Sequence, residues 1–433
     1  MQKIAVGYEQ LLDTHCNNCN KVHHCRIAEA RRLLGIMAPR IPTIYVLLAL
    51  GLITFFLYYR NITAVPLEPS AFVDAVQHDA ANETLGFGAI YVVSGPNSPR
   101  QEGLIESANV TELHLTITRL PAWTEEQIVD FRDKDHPEKS TIVDGSIKAW
   151  LSHNVILHEF LKSGAETALI MEDDVDWDIR LRTKQVPRAA AGMRALMPPA
   201  EGQYYWGHPD DWELLYLGHC GDYFTTVDGH QVGVGVVHPE DLDQVAHVLY
   251  KDDTMADPSD VHPFTASLLT AFNVPAKMRM VHRSRFPLCT FGYAITRSTA
   301  RKLIDELAPA KEGPGRWKHA YDIAILEACR DRGLRCYTVN PELLHHMEGT
   351  SLIDGETDSA GRPPADRAGA PQVLYRNETS NINCGFWSQD FRWHGDKQKL
   401  QYLREEVGRK GRCLKPGRED DGSRKATTPE WSV

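Results

Sequence analysis

From about residue 88 the chain alternates short apolar runs with longer stretches of helical period. "GAIYVVSG" (88–95) reads as a buried strand that stops at Ser-Gly-Pro, with polar, helix-like residues after it. "ELHLTITRL" (112–120) reads as a second strand. "DGSIKAWLSHNVILHEFLKSG" (144–164) reads as a helix, opened by Asp and Ser and closed by Gly164. "TALIMEDD" is a third strand, "VPRAAAGMRALM" a helix, and "WELLYLG" (212–218) a strand again. "CTFGYAITRSTARKLIDEL" gives a strand and then a helix capped near Ser298. "AYDIAILEACRDRG" is a helix with Gly333 past its end, and "LRCYTVN" is a closing strand. Alternation at this spacing predicts an α/β domain, a mostly parallel sheet flanked by helices. Ligands of such sheets gather beyond the carboxyl ends of the strands, where "SGPNSPR" and "EDDVDWD" both fall.

Two stretches break the rhythm. "HPEDLDQVAHVLYKDDTMADPSDVHP" (238–263) is acidic with little periodicity and is expected to be an insertion or lid. The polar tail over 411–433 is expected to be disordered, apart from any bridge through Cys413.

Ahead of the alternating region lies "IPTIYVLLALGLITFFLYY" (41–59), 19 residues without a charge. At 1.5 Å per residue it would span roughly 28 Å, about one hydrocarbon thickness. Six basic residues stand against three acids before it, and no Lys or Arg follows Arg60 until Arg100. By the positive-inside rule the N-terminus faces the cytosol and the bulk of the chain a lumen. The sequons at Asn61, Asn82, Asn109 and Asn377 all fall on that lumenal side. The expected organisation is a cytosolic tail (1–40), a transmembrane signal-anchor (41–59), a stem (60–87), a folded domain (88–410) and the tail. The expectation is a single-pass type II protein of the Golgi or endoplasmic reticulum membrane.

Composition adds exclusions. A formal charge of −11 argues against nucleic acid as the main partner. Six of the nine cysteines are lumenal (Cys220, Cys289, Cys329, Cys336, Cys384, Cys413), so one to three disulfides are expected, with their pairing open. The cytosolic "CNNCNKVHHC" lacks the second spaced pair that a zinc site needs, and reads as tail cysteines, reduced or acylated.

The acids at the end of the third strand carry the candidate chemistry. Glu172, Asp173 and Asp174 offer hard oxygen ligands that suit Mg²⁺ or Mn²⁺, with coordination positions left for substrate phosphates. Asp176 and Asp178 are expected in a solvated turn, and Asp210 and Asp211 in a turn.

The acidic turn resembles the metal-binding motif of GT-A glycosyltransferases, and its surroundings resemble glycosyltransferase family 25, which includes lipopolysaccharide-type and procollagen galactosyltransferases. "AIYVVSGPNSPR", "WLSHNVILHEF", "ALIMEDDV", "LLYLG", "FGYAITRSTARKLI" and "YDIAILEACRDRGLRCYTVNPELLHHMEGTSLID" carry the likeness in order, over roughly residues 88–355. The opening loop departs from the family in keeping Arg100 as its only arginine.

The resemblance implies a GT-A domain that transfers a hexose, galactose foremost, from a UDP-sugar to a glycan or glycoprotein hydroxyl with Mn²⁺ or Mg²⁺. It implies Asp174 as the principal metal ligand, with Glu172 and Asp173 sharing metal and donor contacts. His346, preferred over His345, would complete the metal set from the C-terminal side, since a neutral imidazole can ligate Mn²⁺. Inversion at the sugar needs one carboxylate base, assigned to Asp322, with Asp222 and Glu348 in reserve. Ser94, Arg100, Ser152 and His153 are the remaining substrate-binding candidates. Two other classes fit the same residues: an inactive glycan-binding protein of this fold, and a hydrolase of sugar nucleotides.

Overall fold

The computed structural model describes residues 71–73, 79–199, 201–224, 239–313, 320–347 and 378–425. The expected cytosolic tail, the anchor at 41–59, Asn61, Asn377 and Glu348 lie outside the described residues. Among the described residues no helix is long and apolar enough to cross a membrane.

Among the described residues, thirteen strands form two sheets. They are β1 (Ala71–Val73), β2 (Ile90–Val93), β3 (Leu115–Ile117), β4 (Thr167–Glu172), β5 (Val175–Trp177), β6 (Leu214–Gly218) and β7 (Gly221–Tyr223). β8 (His247–Lys251), β9 (Met278–Arg283), β10 (Phe286–Leu288), β11 (Gly292–Thr296), β12 (Cys336–Asn340) and β13 (Leu344–His346) follow. The main sheet runs β1-β8-β9-β12-β6-β11-β4-β2-β3, with β13 and β5 branching from β6. β11 is antiparallel to β4 and β6, and β9 to β8 and β12. The other ladders along the path are parallel, so seven of its nine strands point one way. β4 and β6 therefore end on the same edge.

Both faces of this sheet are covered, which is why its central strands read as near-continuous apolar runs. Along β4, Ala168 and Ile170 enter one core while Leu169 and Met171 enter the other. The first core packs on the helices Asp144–Ser163, Arg297–Lys302 and Tyr321–Asp331 through residues such as Trp150, Phe160, Ala300 and Ile325. The second packs on Gln101–Thr111, Val186–Leu196 and the C-terminal Leu403 and Val407. Each large apolar side chain sealed this way contributes roughly 1.5–3 kcal/mol. Three disulfides join the domain internally: Cys220–Cys289, Cys329–Cys336 and Cys384–Cys413.

Three boundaries differ from the sequence reading. The 60–87 stretch is not all stem, because β1 pairs with β8 at the sheet edge and Ala81, Leu85 and Phe87 are buried in the core. The 238–263 stretch is not an added lid: β8 lies inside the main sheet, between β1 and β9. Burial does alternate along β8, but the apolar Leu249 sits on the half-buried face, so the sequence does not display it. Nor is 411–425 a loose tail. Cys413 is tied to Cys384, and Arg418 and Arg424 both pair with the buried Asp260.

Candidate functional site

β4 delivers Glu172 to the carboxyl edge of the sheet, and the chain turns through Asp173 and Asp174 into β5. β5 pairs antiparallel with β13, setting His345 opposite Asp176 and His346 opposite Val175. The Met347 N–H donates to the Asp174 carbonyl at 2.7 Å, closing the ladder beside the turn. β13 reaches this position because it leaves β6 at Leu344, opposite Gly218. The approach needs glycine: a Cβ on Gly292 would lie 2.7 Å from Leu344, and one on Gly218 2.9 Å from the Phe291 ring. Residues distant in sequence thus converge, and the ligand atoms of Glu172, Asp174 and His346 all lie within 4.8 Å of one another.

The surroundings of the cluster are polar and specific. His153 Nε2 stands 3.4 Å from Glu172 Oε1, and the Thr290 hydroxyl donates to the same oxygen at 3.4 Å. Burial alone would raise the Glu172 pKa, but His153 and then His346 outweigh it and hold the group below its usual value. Asp174 goes the other way. Burial raises its pKa, and Glu172 and Asp173 add repulsion that His346 and Arg100 do not cancel. Arg100 Nη1 donates to Asp174 Oδ2 at 3.1 Å. The other oxygen, Oδ1, is buried without a hydrogen-bond partner. Such an unmet buried acceptor costs about 1–3 kcal/mol, more when charged, and a cation held by the three ligands would remove that cost. Two carboxylates and one imidazole, one oxygen among them unspent, fit a small divalent ion.

A second group, Glu102, Glu106 and His394, has ligand atoms equally close together. Its central carboxylate is already spent: Glu106 pairs with Arg392 and accepts the His394 N–H at 2.8 Å.

The remaining residues singled out in the sequence take varied places. Asp173 is buried and accepts the Ser94 hydroxyl at 2.6 Å, with Arg100 at 3.7 Å, so Ser94 and Arg100 both sit on the acidic turn. Ser152 is occupied, donating to the Lys148 carbonyl and accepting from the Trp123 indole. Asp322 opens its helix beside the cluster; the Cys289 N–H donates to it at 3.2 Å, one residue before Thr290 donates to Glu172. Burial raises the Asp322 pKa from its ordinary 3.8, and the charge of Glu172 raises it further. Asp222 is not at the site; it ties the antiparallel β7–β10 pair by accepting from Arg285, Phe286 and Thr338. His345 is spent on the buried Glu342. Asn82 is exposed, whereas Asn109 lies within its helix, half-buried, with Arg404 on its side-chain oxygen at 3.3 Å.

Asp176 and Asp178 are not solvated. Asp176 is 2% exposed and accepts the N–H groups of Trp177, Phe386 and Trp387 and the Thr379 hydroxyl. Asp178 is fully buried, pairs with Arg180 through both oxygens, and accepts the Cys384 N–H. Both carboxylates anchor the C-terminal segment, whose packing the local sequence around them does not signal. Thr290, Tyr293 and Tyr321 were also missed, because what brings them to the cluster is the β4–β11 pairing and the start of a distant helix.

No known protein family's sequence profile matches the chain. It is 25% identical over 323 residues to procollagen galactosyltransferase 2 of Mus musculus, an alignment covering 67% of this chain and 42% of that protein. The chain thus spans about two-fifths of the length of that curated relative. Among solved structures, a glycosyltransferase involved in the glycosylation of the major capsid of PBCV-1 aligns at 12% identity. That alignment covers 61% of this chain and 95% of the other, with a TM-score of 0.28, too low to carry an argument about fold.

Proposed function

We propose that this chain is a metal-dependent glycosyltransferase that passes a hexose, galactose foremost, from a nucleotide diphosphate sugar to a glycan or glycoprotein hydroxyl. The observation that carries the reading is the meeting of Glu172, Asp174 and His346 at the carboxyl edge of the sheet, with Asp174 Oδ1 buried and unpartnered. The sequence likeness to a procollagen galactosyltransferase supports the sugar and the donor class.

Glu172, Asp174 and His346 would hold the ion, and the imidazole favours Mn²⁺ over Mg²⁺, which prefers oxygen ligands alone. Bound there, the cation supplies positive charge against the departing diphosphate. Arg100, on the same turn, offers a guanidinium whose geometry matches phosphate oxygens. Ser94 fixes one oxygen of Asp173, and the second, with Arg100 3.7 Å away, would accept from a donor hydroxyl. Asp322 acts as the base, taking the acceptor hydroxyl's proton during a single inverting displacement; its raised pKa gives it the proton affinity the step requires. The apolar segment 41–59 would anchor the enzyme in a Golgi or endoplasmic reticulum membrane with this domain in the lumen.

The test is release of nucleotide diphosphate by the purified full-length chain from a panel of nucleotide sugars, with Mn²⁺ or chelator and with or without mixed glycan acceptors. The expected result is Mn²⁺-dependent release from one donor that rises with acceptor. Asp322→Asn should lower kcat by about 10²–10⁴-fold. Release indifferent to acceptor would indicate a hydrolase. Absence of binding and turnover with every donor would indicate the inactive glycan-binding alternative.

A further inference from the structure

Against Glu172 lies a buried chain of polar side chains that the proposed chemistry does not use. His153 is 1% exposed, and its Nε2 is 3.4 Å from Glu172 Oε1. Its Nδ1 lies 3.2 Å from the Tyr293 hydroxyl, which lies 3.3 Å from the Tyr321 hydroxyl. The Tyr321 ring also stacks on the imidazole, with centroids 4.7 Å apart and planes 16° from parallel. Three elements contribute: the helix Asp144–Ser163, β11 and the start of the helix Tyr321–Asp331.

One donor order satisfies every member. Glu172 is the terminal acceptor, so Nε2 carries the hydrogen and Nδ1 of a neutral imidazole accepts. Tyr293 then donates to Nδ1, and Tyr321 donates to Tyr293. Burial keeps both phenols protonated by raising their pKa values. A buried polar chain with no unmet group along its length is rigid, and a carboxylate at its end inherits that rigidity.

We propose that His153, oriented by Tyr293 and Tyr321, is a positioning residue that holds the Glu172 carboxylate in its metal-binding pose. It is not a substrate contact. The same chain ends next to Asp322, so the base and the metal ligand are referenced to one buried scaffold. This inference rests on the metal-site reading above. Groups that orient a ligand carboxylate are typically worth about 10–100-fold in metal affinity.

The experiment is Mn²⁺ titration of the full-length chain, followed by the electron paramagnetic resonance signal of free Mn²⁺, with thermal unfolding recorded on each variant. His153→Phe, which keeps an aromatic ring over Tyr321 but offers no N–H, should bind Mn²⁺ about 10–100-fold more weakly than the native chain. His153→Gln, which restores an N–H near the Nε2 position, should recover most of that affinity. Should His153→Phe fail to fold, Tyr293→Phe serves instead; it removes one hydroxyl, leaves Nδ1 without its donor, and should weaken Mn²⁺ binding measurably. Native affinity in a folded His153→Phe variant, or in Tyr293→Phe, overturns the proposal. Equal losses in His153→Phe and His153→Gln also overturn it, because ring packing rather than the hydrogen bond would then be responsible. A native chain that binds no Mn²⁺ at all refutes the metal site itself, which is a separate result.

Discussion

Glu172, Asp173 and Asp174 lie within six residues of Asp176 and Asp178, yet the two halves of this run do opposite work. In the second half every carboxylate is answered: Asp176 by three N–H groups and a hydroxyl, Asp178 by Arg180 and a further N–H. In the first half Asp174 keeps a buried oxygen that no protein group satisfies. The same residue type is structural where the fold supplies donors and available for chemistry where it withholds them. Neighbouring histidines divide similarly. His345 serves Glu342, while His346 faces the open cluster.

This contrast is sharpened first by removing one acid from each half. Asp174→Asn should abolish metal-dependent turnover, by on the order of 10³-fold or more if the ion supplies several kcal/mol, while leaving the unfolding midpoint near native or above it. Asp178→Ala should do the reverse. It strands Arg180 in the interior and should cost about 3–5 kcal/mol of stability, read by urea unfolding.

A third, smaller effect concerns pH. Burial would raise the Glu342 pKa, but the His345 beside it more than offsets this and brings the group from 4.5 down to about 2. Because the folded-state value is depressed, the ionised form favours folding. Its contribution is fully present above about pH 4.5 and is lost as pH falls toward 2, amounting to about 3 kcal/mol. Glu342→Gln should therefore flatten the fall in unfolding free energy across that interval. An unchanged slope would show that His345 is not committed to Glu342.

Much of this was legible in the sequence, and the rest was hidden for identifiable reasons. The strands "IYVV", "TALIME", "LLYLG" and "GYAIT" are apolar on both faces, so a doubly covered sheet follows from local composition. Acids at the end of one such strand could be placed at the sheet edge for the same reason. What the order of residues does not disclose is which acids find partners. Those that tie Asp176 and Asp178 to residues 379–387 arrive through long-range packing, whereas Arg180 lies only two residues from Asp178. His153 illustrates the converse. Its helix was readable, but its task depends on Tyr293 and Tyr321, which reach it only once β11 and a later helix are in place. β1 was missed because a three-residue edge strand carries little alternation, and β8 because its apolar Leu249 sits at a half-buried position.

The most direct test is a Mn²⁺ titration comparing the native chain with Asp174→Asn and Asp176→Asn, each checked for its unfolding midpoint. The division of the acidic run predicts that Asp174→Asn loses Mn²⁺ binding without losing stability. It also predicts that Asp176→Asn unfolds earlier but, while folded, still binds the ion. Native Mn²⁺ affinity in Asp174→Asn would contradict the account.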